Sequence, residues 1–291
     1  MKLCKYATMK PMLACLVMLP AALLHAAEGD VKIGDANRLE VATSVAKLVF
    51  DTSNAPDLRQ WTDERFAPTT REWVVKLAGI MASDGWTPPK EIHFQFVADQ
   101  LQSCKNAAAL ASAEGNTVSL NADWFRKNLD GEALGATIHV LVRFMQGYCS
   151  EGQNKDNCPR WAVEGYADYI RWMLFEPEAD GCGFVRKDPD KYRYNDSYRV
   201  TAHFFGFVEN SYPGTMKKLN AALRDHTFDN GKFWQAATGK SAEELEADWK
   251  ADIKNAATEN NVVWFDELPL EDMTSGWCAS FRARADAWPM G

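Results

Sequence analysis

Apolar residues recur at intervals of three and four through most of the second half of the chain. Segments 131–147, 160–175, 196–211, 214–226 and 241–257 each follow this period, and each predicts a helix. The last opens on Ser241 with Glu244 three residues on, the spacing of a capping box. Nearer the start, 36–53 ("ANRLEVATSVAKLVFDTS") and 68–83 (Trp73, Leu77, Ile80 and Met81) also match helical spacing, the second closed by Asp84-Gly85. "EIHFQFVAD" breaks the pattern. Ile92, Phe94 and Phe96 alternate with Glu91, His93 and Gln95, which predicts a strand with one buried face and places His93 on the polar one. "AAALAS" and "TVSLNA" flank "AEGN" as the arms of a hairpin would. The order of helices, short sheet and helical bundle predicts one α+β domain, a short mixed sheet followed by a predominantly helical half.

The two ends follow neither period. Lys2, Lys5 and Lys10 precede an apolar run from Met12 to Leu24, and small residues at Ala26 and Ala27 lead into "EGDVK". This pattern reads as a signal peptide over 1–27, directing a secreted or periplasmic protein. The run is short for a membrane span, and no later stretch approaches one. A lipoprotein signal would use Cys15, which has little apolar sequence before it. Residues 28–260 then form the domain, and the aromatic segment 261–291 reads as a C-terminal tail packed on it.

Loss of residues 1–27 leaves 29 basic against 40 acidic residues, a formal charge of −11. Such a surface repels nucleic acid and anionic lipid. Five cysteines remain, Cys104, Cys149, Cys158, Cys182 and Cys278, and none lies in a C-x-x-C pair. An exported chain can oxidise them, and an odd number leaves at least one unpaired. A Cys149–Cys158 disulfide closing "SEGQNKDN" is the expected pairing, while small buried thiols would serve equally for the other three.

Chemistry concentrates on two of the helices. In "GATIHVLVRF", His139 and Arg143 stand four apart and share one helical face. That is the ligand spacing of the zinc-peptidase motif H-E-x-x-H, with Val140 in the base position and Arg143 in place of the second His. In "WAVEGYADYIRW", Glu164 lies 21 residues after Arg143, and Asp168 follows one turn later. A Glu ligand and an Asp that orients a metal-bound His stand at this distance in one class of zinc peptidases. Singly, each feature has a plain reading: a satisfied core histidine, a surface arginine and a solvated carboxylate pair.

The stretch from about Leu39 to Ile253 resembles the basic secretory protein family of plants and bacteria, whose members look like zinc metallopeptidases with a gluzincin-type site. The resemblance rests on "GNTVSLNADWFRKN", "GATIHVLVRFMQGY", "VEGYADYIRW", "YRVTAHFF", "KKLNAALRD" and "TGKSAEELEADWK", in that order. It implies a zincin-like peptidase fold, with His139 as first zinc ligand, Glu164 as third and Asp168 as the partner of His139. It also implies that Tyr198 stands beside the site as an oxyanion donor. HVLVR departs from the family pattern in both respects that matter. Loss of a general base removes a factor of about 10² to 10⁴ in rate, and a guanidinium has no lone pair to offer a metal.

The expectation is therefore a secreted metallopeptidase homologue without activity. It retains a vestigial metal site (His139, Glu164, Asp168, with Arg143 in the second-ligand position), and Arg143 pairs with Glu164. No zinc or other cofactor is expected, although zinc serves the active relatives. The candidate ligand is a peptide or glycan in the retained cleft, the peptide lying along an edge strand near Thr117–Asn121. Among the 11 tryptophans, Trp73, Trp161, Trp172, Trp234 and Trp249 sit at helical spacing with other apolar residues, which favours core packing over a glycan face. The alternative is an active hydrolase with a rearranged site drawing on Glu164, Asp168, Tyr198 and His203, for which no Ser or Cys nucleophile stands in a recognisable context. A partner subunit of an envelope assembly is the third possibility.

Overall fold

Strict alternation wins near the start of the described residues. Leu39 and Val41 are buried while Arg38, Glu40 and Ala42 are not, and this period of two makes a strand of Arg38–Ala42. The computed structural model describes residues 31–33, 36–97, 109–112, 116–148 and 157–259. The predicted signal peptide and the aromatic tail lie outside them, as do Cys104, Cys149 and Cys278.

Three strands open the fold: β1 (Val31–Ile33), β2 (Arg38–Ala42) and β3 (Lys47–Asp51), joined antiparallel in that order. The helix expected over 36–53 is therefore corrected to a hairpin. Apolar residues at i and i+3 or i+4 occur there by coincidence with the two-residue period. Thr43 fixes the turn: its Oγ1 accepts from the backbone N–H of Val45 and Ala46 and donates to the Ala46 carbonyl. Leu39 then faces Phe50 and Val41 faces Leu48 across the pair.

A helical rod follows, built from a 3-10 turn (Pro56–Leu58), α1 (Arg59–Trp61), a π-helical turn (Thr62–Phe66) and α2 (Ala67–Ile80). It crosses the sheet so that β4 (Glu91–Val97) joins β3 in parallel. β5 (Ala109–Ser112) and β6 (Thr117–Asn121) form the expected hairpin, with β6 parallel to β4. The sheet order is β1-β2-β3-β4-β6-β5. β6 thus lies inside the sheet, and the edge strand expected near Thr117–Asn121 is corrected to β5. A peptide cannot add to a strand whose two sides are already paired. Under the sheet Phe50 stacks on Phe94 at 5.2 Å, with Phe66 edge-on at 4.9 Å.

The Asn121 side chain accepts from the N–H groups of Asp123 and Trp124 and so starts α3 (Ala122–Asn128). α4 (Ala133–Gln146) comes next, stopped by Gly147 at φ +54°. α5 (Arg160–Tyr169) runs on into a second π-helical turn, Ile170–Phe175. After α6 (Phe184–Lys187) come α7 (Tyr198–Ser211), α8 (Thr215–Arg224), α9 (Asn230–Thr238) and α10 (Ala242–Glu259). The capping box at α10 forms in both directions, Ser241 N–H to Glu244 and Glu244 N–H to Ser241 Oγ. α9 is too short for its period to be visible in the sequence; it is started by Asp229 and buries Trp234 completely.

Phe204, Phe205, Trp234 and Trp249 form the core of the helical half. Trp73, Trp172, Trp234 and Trp249 are all buried, so they line no glycan face. α4 lies between the two halves, against β6 on one side and α5 on the other. Among the described residues, no helix is long and apolar enough to cross a membrane. Cys158 is disulfide-bonded and Cys182 is a buried free thiol; the expected partner of Cys158, Cys149, lies outside the described residues.

Candidate active site

Most of α4 is buried, and only Leu134, His139, Arg143 and Phe144 reach partly to solvent. His139 and Arg143, one turn apart, make the polar stripe of an otherwise apolar helix. α5 presents Arg160, Glu164 and Asp168 at the same four-residue interval, going from exposed through half-buried to buried. Two contacts hold the helices in register. The Gln146 side-chain amide donates to the Val163 carbonyl at 3.0 Å. At the other end, the glycine at 135 gives room for Glu176, since a Cβ there would stand 2.1 Å from its carboxylate oxygen. On its far side α5 approaches α7 closely at Gly165, where a Cβ would meet Thr201 at 2.3 Å.

The four residues singled out on the two helices meet. His139 Nδ1 lies 2.7 Å from Asp168 Oδ1, and its Nε2 lies 3.1 Å from Glu164 Oε2. Arg143 Nε is 3.4 Å from Glu164 Oε1, the ion pair expected from the sequence. Its Nη1 donates to Gln146. Both imidazole nitrogens therefore face carboxylate oxygens, surroundings that favour the protonated ring. Burial acts to lower its pKa, but Asp168 and Glu164 outweigh burial and raise it to about 9. Burial acts to raise the Glu164 pKa, and His139, Arg143 and Arg160 together hold it at about 2.

This donor set does not fit a zinc ion. A catalytic zinc of this class takes three protein ligands, and of the three motif positions only His139 and Glu164 carry a ligand-type side chain. Arg143, at the sequence position of the motif's second ligand, has no lone pair to offer. Val140, in the position of the general base, is buried at the margin of the apolar core, 8% exposed. Among the described residues, no group of three or more His, Cys, Asp or Glu side chains is placed to hold a metal ion.

Tyr198, at the start of α7, is half-buried beside this cluster. Burial and the neighbouring Glu164 carboxylate raise its pKa. The Arg160 guanidinium lies 5.6 Å from the centre of its ring. Its hydroxyl has no hydrogen-bond partner among the described residues. His203 is not brought to the cluster. Its Nδ1 accepts from Trp249 Nε1 at 2.9 Å, and burial pushes its pKa down to about 4. His93 pairs with Glu91 on β4.

The sequence reading passed over Gln146 and Arg160. Gln146 is three residues beyond Arg143 and Arg160 four before Glu164, so an i+3 extension of the first stripe and an i−4 extension of the second would have reached them. It also passed over a buried group at the π-helical turn. Arg171, within 4 Å of both Glu132 and Glu176, lies over the Trp172 ring, which Arg199 also covers.

No curated protein and no solved structure matches the chain. A family model does, that of BSP, the peptidases of plants and bacteria, over residues 73–249. The matched stretch begins in α2 and ends in α10, so it contains every residue of the His139 cluster and leaves out β1–β3. It covers more than half of the chain, and with His139, Glu164 and Asp168 placed together inside it, this chain belongs to the BSP peptidase family.

Proposed function

We propose that this chain is an exported member of the BSP peptidase family that neither holds zinc nor hydrolyses peptides, and that keeps the cleft between α4 and α5 as a binding surface. The observation that carries this reading is the pairing of His139 with both Asp168 and Glu164 while Arg143 takes the other oxygen of Glu164. The Arg143 guanidinium brings a fixed positive charge to Glu164, in place of charge that the ion bound by H-E-x-x-H would supply. The carboxylates remain neutralised and α4 and α5 remain docked, but the Lewis acid and the activated water are gone. With valine at position 140 no side chain there takes a proton from water.

The test compares the native chain with Arg143→His and with Val140→Glu/Arg143→His. The measurements are zinc by elemental analysis after dialysis against the metal, and cleavage of casein and a quenched fluorescent peptide. The native chain is expected to carry no stoichiometric zinc and to leave both substrates intact. Arg143→His is expected to gain zinc, and the double variant to gain zinc and cleavage. Stoichiometric zinc in the native chain, or chelator-sensitive cleavage by it, would overturn the reading. Val140→Glu brings a carboxylate to the edge of the core and can destabilise the fold; the single variant keeps the zinc test independent of it.

A further inference from the structure

Leu174 and Phe184 are the large apolar side chains that stand exposed among the described residues. Phe184 opens α6 and has an aromatic partner, the half-buried Tyr192, whose ring lies edge-on at 5.5 Å. The Lys191 ammonium lies 5.5 Å from the centre of the Tyr192 ring. Residues 184–193 carry Arg186, Lys187, Lys191 and Arg193 against Asp188 and Asp190, a local excess of positive charge in a chain whose formal charge is −8. Arg186 is taken by Asp180, and Asp190 by Lys254. Glu246 on α10 is held by Lys250 and by the Tyr194 N–H. Lys191 and Arg193 are exposed, and their side chains form no ion pair among the described residues.

α10 brings the C-terminal part of the chain to this patch. It packs against the 3-10 turn Pro189–Lys191, where Lys254 Nζ lies 2.7 Å from Asp190 Oδ2. Glu259, the last described residue, follows five residues after Lys254, about 7.5 Å along the helix. Beyond it, the sequence 262–273, "VVWFDELPLEDM", interleaves Trp264, Phe265, Leu268, Leu270 and Met273 with two acid pairs, Asp266-Glu267 and Glu271-Asp272, and holds no basic residue. Residues 260–268 can span about 30 Å of extended chain, so this segment has the length to return to the Asp190 turn.

We propose that residues 262–273 dock on the patch formed by Phe184, Tyr192, Lys191 and Arg193 of the same chain. Their apolar side chains cover the two rings, and their carboxylates face the two unpaired cations. Exposed ion pairs add little affinity, so the aromatic and aliphatic contacts hold the segment and the charges select it. The tether supplies the rest, because a short linker holds its end at roughly millimolar effective concentration, enough to keep a weak site occupied. A second copy of the chain would offer the same segment only at the concentration of the free protein. The remaining stretch, 274–291, carries Arg282 and Arg284 against Asp286 and lacks the complementary charge.

The test is made on the full chain, by carbodiimide cross-linking, which joins a lysine amine to a neighbouring carboxylate as an amide, and by amide hydrogen exchange, both read by mass spectrometry. Lys191 is expected to cross-link to one or more of Asp266, Glu267, Glu271 and Asp272. The amides of 262–273 are expected to exchange about tenfold or more slowly than in a free synthetic peptide of that sequence. Phe184→Ser and Lys191→Glu/Arg193→Glu should each bring the exchange to within about twofold of the peptide, while α7 keeps its protection. Adding Asp266→Lys/Glu267→Lys to the charge-reversed pair should restore the slow exchange. In a mixture of isotopically light and heavy chain, each cross-link should join segments of one isotope. Exchange at the peptide's rate in the native chain, protection that survives either variant, or cross-links between light and heavy chains overturns the proposal.

Discussion

His139 should titrate near pH 9, and removing one of its carboxylates should bring it most of the way back. An ordinary histidine titrates near 6.5. Between Asp168 at 2.7 Å and Glu164 at 3.1 Å, with only a fifth of its side chain exposed, His139 is held at about 9. A gap of that size corresponds to roughly 3 kcal/mol of folding stability, at about 1.4 kcal/mol per pH unit. The sign follows from the raised folded-state value. The contribution is fully present below pH 6.5, where the unfolded chain also binds the proton, and is lost as pH rises from there through 9. Glu164 behaves in the opposite way, its folded pKa of about 2 giving stability that is present above about 4.5 and lost as pH falls through 2. The assay is the imidazole carbon shift of His139 against pH, in the native chain and in Asp168→Asn, paired with urea unfolding at pH 6.5 and 9.5. The native chain is expected to titrate near 9 and to lose roughly 3 kcal/mol across that interval, and Asp168→Asn to titrate between 6.5 and 8 and lose less than half as much. A native midpoint at or below 6.5 would refute the argument. It would mean that His139 is neutral, with one nitrogen free to bind a metal.

Other expectations follow from neighbouring parts of the structure. His203 accepts from Trp249 and has a folded pKa of about 4, so its contribution to stability should be constant above pH 6.5 and fall by up to about 3 kcal/mol as pH drops from there through 4; His203→Gln should flatten this acid limb in urea titrations. Gly165→Ala would drive a Cβ into Thr201 and should cost about 1–3 kcal/mol of unfolding free energy by overpacking, with part recovered by Gly165→Ala/Thr201→Ser, which removes the clashing methyl. Glu209 accepts from the backbone N–H groups of Gly214 and Met216, both at 2.8 Å, across the α7–α8 turn; Glu209→Ala should lower stability by about 2 kcal/mol in thermal or urea unfolding, with Glu209→Gln retaining part of it.

The helical half was legible because its helices are long and one-sided, so their period stands out, and because chemistry at four-residue spacing marks a helical face whatever lies opposite. β4 and the β5–β6 hairpin were legible for the equivalent reason at period two. The β2–β3 hairpin was not. Over so short a segment, Leu39, Val41, Leu48 and Phe50 satisfy both periods, and the choice is made by the strands that flank the hairpin, β1 just before it and β4 far along the chain. α9 was missed because its nine residues hold too few turns to show a period.

In the candidate site, the residue types and their separations were fixed before any folding: His139 four before Arg143, and Glu164 four before Asp168. Those separations say which side chains share a face. They do not say that the two faces meet, that β6 is covered on both sides, or that Tyr198 comes to the cluster while His203, five residues on, turns to Trp249. Tertiary packing decided these, through Gly165 against Thr201, Glu176 against the glycine at 135, and Gln146 against Val163. It also decided the charge state. A histidine's proton depends on what surrounds both nitrogens, and two carboxylates from one helix enclose His139 only once α5 is laid against α4.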